Sequence, residues 1–374
     1  MIRQSQPAVA SSAEKLYVAS QWQLIRWKFL KHKLAVVALV VLAMFYLTVV
    51  FAEIIAPYDP RQEHLDHIYV PPQKIRFFDQ HDGLQLRPFV YALKSSVDEV
   101  TLAINYEEDR SIRHPIGLFV RGDPYTLLGG LEGTVHLFGT SDGTLFLFGT
   151  DKLGRDLFSR IIFGGRISLT IGLVGVFLSL FLGIVIGGIS GYLGDTVDTL
   201  IQRGIEFIRS IPTLPLWMAL SAALPPYWST VQIYFGIVVI LSLIQWTYLA
   251  RAVRGKFIAL REEDFVAAAV MHGASTYRVI FRHLLPSFYS YIIAILTLSL
   301  PRMILAETAL SFIGLGMQPP AISWGVLLKE SQSIRVMANS PWLLIPGVFV
   351  VISILAFNFL GDGMRDAADP YTSV

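Results

Sequence analysis

The chain contains no cysteine among its 374 residues. Disulfides, thiolate catalysis and cysteine-held metal centres are therefore excluded. Charge is also scarce: 16% of residues are Asp, Glu, Lys or Arg, against about 25% in soluble domains. The net charge is +2, so no global field points to nucleic acid. A phosphate-cradling GxxxxGK[ST] loop is missing. Gly255-Lys256 has Ala250 where the first glycine would stand, so the chain holds no nucleotide in that manner. No His-Glu-x-x-His or pair of intramembrane acids occurs, which argues against a polytopic enzyme. No internal repeat is visible, which argues against a secondary transporter or channel built from paired broken helices.

What is abundant is apolar sequence, 53% of the chain. It falls in six runs, at about 34–56, 167–193, 211–224, 231–250, 288–315 and 341–360. Spanning a bilayer takes about 20 residues. The first run exceeds the roughly 7–15 apolar residues of a secretory signal and is expected to be an uncleaved anchor. Pro212, Pro215, Pro225 and Pro226 crowd the third, which can begin earlier, within 200–208. The N-terminal tail carries Arg3, Lys15, Arg26, Lys28, Lys31 and Lys33 against one acid, Glu14. The segment after the fourth run carries Arg251, Arg254, Lys256, Arg261, Arg278 and Arg282, whereas the loop 225–230 has no charge. Positive loops face the cytoplasm. The expected fold is an all-α polytopic membrane protein with about six transmembrane helices and both termini cytoplasmic. A partly β extracytoplasmic insertion separates spans one and two. The expected organisation is a cytoplasmic tail (1–33), a first span (34–56), the insertion (57–149), a core of five spans (150–361) and a cytoplasmic C-terminal tail (362–374).

Within the insertion, Ser141-Asp142-Gly143 separates the β-prone runs 134–139 and 144–149, which predicts a hairpin. A second pair is expected to flank Gly122-Asp123-Pro124, and 57–99 reads as irregular. Glu63, His64, Asp66 and His67 make only a weak metal pattern, better explained as solvated loop, and no metal is expected.

The stretch EEDFVAAAVMHGASTYRVIFRHLLPS, 262–287, is polar and helix-prone yet lies between two apolar runs. Glu262, Glu263 and Asp264 suit the first turn of a helix over 265–271. Phe265, Ala268, Ala269 and His272 share a face at helical spacing. Gly273 ends that helix, Ser275 caps a second one over 275–285, and Pro286 stands near the start of the fifth span. The result is a short helix–turn–helix at the membrane surface.

Ala268, Ala269, Gly273, Leu285 and Pro286 resemble the EAA motif of ABC import permeases, with Ala267 in place of its glutamate and His283 in place of its isoleucine. FGTDKLGRDLFSRIIFGGRISL (148–169), LAETALSFIGLGMQPPAISWG (305–325) and AFNFLGDGMRDAADP (356–370) resemble the C-type permease of the oligopeptide/dipeptide branch. This resemblance implies a bacterial inner-membrane, multi-pass permease subunit of a binding-protein-dependent importer. Its partners would be a second permease in a heterodimer, two ATPase subunits, an extracytoplasmic solute-binding protein and the lipid bilayer, with no nucleic acid. It implies no cofactor on this chain, ATP and Mg being held by the partner ATPase. It also implies that the loop serves as a coupling helix, through Glu263, Asp264, Phe265, Ala268, Ala269, Gly273, Ala274, Leu285 and Pro286. The family takes up peptides, nickel and some oligosaccharides, and the solute stays open.

Gly183, Gly187 and Gly191, four apart, suit either close helix packing or a flexible part of a moving pathway. Arg302 and Glu307 lie within the fifth run, as a gate or as a packing pair with each other or with a partner. Asp151, Arg155 and Asp156 precede a short run, 157–163, expected along the outer membrane surface. They would contact the binding protein or gate, or else Thr150 or Asp151 would cap a helix. The tail acids Asp362, Asp366 and Asp369, with Arg365, are either ATPase contacts or a solvated end.

Overall fold

A computed structural model of the chain describes residues 21–79, 83–97, 99, 104–127 and 129–368. Arg3, Glu14, Lys15 and Asp369, weighed above, lie outside the described residues. Helix α1 (Gln21–Lys31) meets α2 (Lys33–Val50) at His32, whose Nδ1 accepts the Ala35 N–H at 3.2 Å. A single turn, α3 (Ala52–Ile55), follows. After the insertion come α4 (Leu157–Leu193), α5 (Asp195–Ser210), α6 (Thr213–Ala222) and α7 (Thr230–Leu260). The polar loop holds α8 (Asp264–Met271), α9 (Thr276–Arg278), a π-helical turn over Val279–Leu284 and α10 (Leu285–Ser287). Helices α11 (Tyr289–Ile313), α12 (Trp324–Lys329), α13 (Ile334–Asn339) and α14 (Ile345–Ala368) complete the chain.

Among the described residues, five helices are long and apolar enough to cross a membrane: Lys33–Val50, Leu157–Leu193, Thr230–Leu260, Tyr291–Ile313 and Pro341–Ala368. The third apolar run does not form a comparable helix. Its helix α6 has 10 residues, about 15 Å at 1.5 Å per residue. It is parted from amphipathic α5 at Ile211-Pro212, where proline withholds an N–H and biases the residue before it away from helix. The stretch 157–163, expected as a separate surface helix, is the first part of the continuous 37-residue α4. Gly164 and Gly165 do not interrupt the helix; the first is buried against Ile322 and Ser323, the second against Val49 and Trp324.

The insertion differs most from expectation. It is an antiparallel meander, β1 (Arg76–Asp79), β2 (Gly83–Val97), β3 (Ile104–Leu127) and β4 (Leu131–Thr140), in spatial order 1-2-3-4. The segment 57–99 is therefore not irregular throughout. Its charges sit on strand faces, where Arg76 pairs with Glu108 at 2.9 Å and Lys94 lies opposite Glu107. The hairpin around 141–143 does not form, since β4 pairs with β3 and 144–149 is not a strand. Leu145 and Phe146 are instead fully buried, with their N–H groups donated to the Tyr58 hydroxyl and the Gln73 amide oxygen. Gly122-Asp123-Pro124 does not turn the chain either. It sits in a register shift between Arg121 and Tyr125, where a bulge absorbs proline's missing N–H.

Sheet and bundle are joined at one end of the helices. The loop 57–73 lies against the approach to α4: Val70 N donates to Thr150 Oγ1 (2.8 Å) and Thr150 Oγ1 to the His67 carbonyl (2.6 Å). His64 and His67 flank Phe146, and burial holds both below the usual imidazole range. Among the described residues no cluster of His, Asp and Glu fit for a metal occurs. A cleft of about 1070 Å³ opens between the sheet and the helix ends, lined among others by Glu53, Asp123, His136, Arg166 and Ile322.

Candidate functional site

The polar loop between α7 and α11 is the most distinctive surface of the helical bundle. Its first helix, α8, starts at Glu263, whose carbonyl accepts from Val266 N (2.9 Å) and Ala267 N (3.2 Å). Glu263 gives no side-chain cap, and Glu263 and Asp264 both reach into solvent. Along α8 only Val266 is buried. Phe265 and Ala268 are exposed and Ala269 is half-buried, so the face expected from their spacing points largely outward. Gly273 has φ +77°, a left-handed conformation that ends the helix and that side chains with a Cβ rarely adopt. Ala274 N then bonds back to the Ala269 carbonyl at 3.0 Å. Ser275 caps the next segment by accepting the Arg278 N–H at 3.4 Å. That segment is not one regular helix over 275–285. It widens into a π-turn over Val279–Leu284, within which Val279 and Leu284 are buried. Leu285 is buried, Pro286 exposed.

Beneath the loop lies a separate apolar core of Val253, Phe257, Val266, Val279, Leu284, Leu285, Phe288 and Ile292. Phe257 and Phe288 meet edge to face at 5.7 Å. The loop is thus bolted to the ends of both α7 and α11. Above that core, Val270, Met271, Tyr277 and Phe281 are exposed, Met271 at 85% of its surface, and the Tyr277 and Phe281 rings lie 4.5 Å apart. These four residues are absent from the motif-based expectation. Their signal in the sequence is the recurrence of large apolar side chains on a stretch otherwise polar.

The glycine row seats α4 directly against α7. At Gly187 an added Cβ would stand 2.3 Å from the Ala250 carbonyl oxygen, and at Gly191 2.7 Å from that of Arg254. At Gly183 it would stand 2.6 Å from Leu249 Cβ. The two helices therefore touch backbone to backbone. Below this seam Arg254 and Asp198 of α5 form an ion pair, and Ser190 donates to the same carboxylate.

Arg302 and Glu307 do not pair. Arg302 lies over the Tyr248 ring, 5.5 Å from its centroid. Glu307 is wholly buried and accepts from Ser311 (2.8 Å), Ser323 (2.7 Å) and Ser168 (3.2 Å). Five residues along α11 place the two side chains on different sides of the helix, where each meets a different neighbour.

At the sheet end, Asp151 accepts from Leu153 N (2.9 Å), Arg155 N (3.1 Å) and Arg155 Nε (2.8 Å), and lies 3.0 Å from Arg160. The cap of α4 is neither Thr150 nor Asp151 but Asp156, which accepts from Ser159 N (2.8 Å) and Ser159 Oγ (2.7 Å). Asp156 and Asp151 are 1% and 2% exposed, so neither offers a surface for another protein. Burial pushes the Asp156 carboxyl up to about 7, against the hydrogen bonds from Ser159. Because its folded value is raised, the folded chain holds this proton more tightly than the unfolded one. Stability from this group is greatest at low pH and is lost as pH rises from about 4 to about 7. Asp156→Asn keeps an acceptor for Ser159 and is expected to remove that slope. Melting temperatures of the two proteins between pH 5 and 8 check this: the curves should converge at the acid end.

A family model described as "Binding-protein-dependent transport system inner membrane component" matches residues 183–374, and the "N-terminal TM domain of oligopeptide transport permease C" matches 20–72. Neither covers 73–182, which includes the whole sheet. An oligopeptide transport system permease protein of Haemophilus influenzae is 40% identical over 64% of this chain and 71% of its own length. A dipeptide transport system permease protein of Bacillus subtilis is 38% identical over 63% of this chain and 68% of its own. Among solved structures, a chain of the MetNI methionine ABC transporter aligns with a TM-score of 0.46 at 17% identity, over 57% of this chain and 98% of that one.

Proposed function

The chain belongs to the family of binding-protein-dependent transport system inner membrane components, and from that premise we propose that it moves peptides across the bacterial inner membrane. It does so as one half of a permease pair driven by a separate ATPase. The single observation behind the coupling role is the bare apolar ridge of Val270, Met271, Tyr277 and Phe281, fixed over a core shared by α7 and α11. Exposed apolar side chains of this size mark a surface that another protein covers. The loop's basic flanks, Arg251, Arg254, Lys256, Arg278 and Arg282, support a cytoplasmic position for it. The sheet then lies outside, where a solute-binding protein delivers. Helices α5 and α6 together form a broken third crossing, which restores six crossings and places both termini inside.

In this reading Glu263, Asp264, Phe265, Ala268, Ala269, Gly273, Ala274, Leu285 and Pro286 shape the docking element. ATP and Mg stay on the partner ATPase. Closure of two ATPase subunits tilts the loop, the shared core transmits the tilt to α7 and α11, and the glycine seam carries α4 along. The path between this chain and its partner permease then opens to the other side. No covalent chemistry on this chain is required.

Met271→Glu tests the coupling. The side chain has no buried contact to lose, so the protein is expected to accumulate in the membrane and melt like the wild type. Recovery of the ATPase in pull-downs through this chain should fall at least about tenfold, the order expected for a central interface anchor. Undiminished ATPase recovery together with wild-type uptake would remove the loop from the interface.

A further inference from the structure

Two arginines converge on one tyrosine at the surface of the bundle. Arg209, at the end of α5, lies 4.3 Å from the centroid of the Tyr248 ring, and Arg302, within α11, lies 5.5 Å from it. Arg302 sits near the midpoint of a helix long enough to cross the bilayer, and Tyr248 lies one turn before Arg251, at the inner end of its apolar run. All three side chains are exposed on the surface of the chain. A cationic side chain within a membrane-spanning helix, such as Arg302, lines a pathway or meets an anion.

Among the described residues no carboxylate comes within ion-pair distance of Arg209 or Arg302. The nearby acid, Glu206, is already engaged by Arg203 at 3.0 Å and Arg251 at 3.8 Å. Four arginines thus face one glutamate, and the two on Tyr248 carry the surplus. Both guanidinium groups lie within cation–π distance of the ring. A guanidinium fork matches a carboxylate in geometry as well as charge. The backbone near the cluster has one helix end and one internal proline. Helix α5 stops at Ser210, next to Arg209, and Pro301 stands inside α11, next to Arg302. Proline removes the N–H that would bond the Thr297 carbonyl, so both arginines ride on elements that can hinge.

We propose that Arg209 and Arg302, held on Tyr248, form an anion site on the inner half of the path that receives the terminal carboxylate of the transported peptide. This rests on the peptide-permease reading above and adds to it a chemical requirement, a free carboxylate on the solute. The site is open on one side in the single chain, and the partner permease closes it. Contact with two hinged elements lets the same motion that opens the path separate the two arginines and release the anion.

The test uses the complete transporter, purified through a tag on this chain and reconstituted in vesicles with its ATPase and binding protein. The probes are trialanine and its C-terminal amide, taken up in parallel by wild type, Arg302→Gln, Arg302→Lys and Arg209→Gln. The binding protein is a separate chain, so any change in the acid-to-amide ratio between variants originates here. Arg302→Gln and Arg209→Gln are expected to lower trialanine uptake at least about tenfold and to change amide uptake less than about twofold. Arg302→Lys should recover part of the loss. Equal uptake of both probes by wild type and variants would overturn the site while leaving peptide transport standing. Absence of uptake of either probe by wild type would instead remove the peptide reading and the site with it. Loss of the partner permease from both glutamine variants would assign the arginines to a carboxylate of that partner and overturn the proposal.

Discussion

Gly187→Val is expected to abolish accumulation of the folded protein. The atoms an added Cβ would meet are main-chain atoms of Ala250, at 2.3, 2.8 and 2.9 Å, with no flexible side chain among them. Relief requires α4 and α7 to separate, and Gly183 and Gly191 hold the same seam on the turns before and after. Even Gly187→Ala is expected to cost roughly 1–3 kcal/mol, the range for overpacking a tight core. The control is Gly204→Ala. It lies in α5 with open space around it, so relief of glycine's backbone entropy should leave stability unchanged or raise it by about 0.5–1 kcal/mol. Thermal unfolding in detergent, read by size exclusion after heating, compares the three. A Gly187→Ala protein as stable as Gly204→Ala would show that the helices are not in backbone contact.

Glu307→Leu carries the second large effect. Glu307 is the acceptor for three buried hydroxyls, and each serine oxygen in turn receives a main-chain N–H. Met317 donates to Ser311 (2.9 Å), Val326 to Ser323 (3.2 Å) and Trp324 to Ser168 (3.1 Å). One carboxylate thereby fixes the loop after α11 and the start of α12 against α4. Leucine approximates the volume but leaves three donors without an acceptor, each costing about 1–3 kcal/mol. Glu307→Gln retains one oxygen, so it keeps the contacts of Ser311 and Ser323 and loses that of Ser168. The expected order of melting temperature is wild type, then Glu307→Gln, then Glu307→Leu well below. Hydrogen exchange at the Trp324 amide should accelerate in the same order. A glutamine variant as unstable as the leucine variant would mean that the charge itself, rather than the acceptor, is what the site needs.

Much of the candidate site is readable from local sequence. Gly273 ends a helix because a left-handed residue is required there, and Ser275 caps the next segment through its own hydroxyl. Both devices act over three or four residues. The π-turn after Val279 is not readable in this way. It arises where Val279, Leu284 and Leu285 must all reach the core beneath α7 and α11, a demand that comes from tertiary packing. Among the described residues the sheet shows the same limit. Ser141-Asp142-Gly143 has the composition of a hairpin turn. Yet its second arm is drawn away by Tyr58 and Gln73, residues some seventy to ninety positions earlier.

By itself the sequence determined which segments are apolar enough to leave water, where basic residues cluster, and which short motif ties the chain to its family. Each is a sum over neighbours in the chain, and transfer free energy and helix capping need nothing more. Only the tertiary structure decided which groups meet: Glu307 with serines of another helix and loop instead of Arg302, and Arg209 and Arg302 on one ring. Those pairings join residues from different helices and loops, and their energies depend on desolvation and direction, which exist only once the helices have packed.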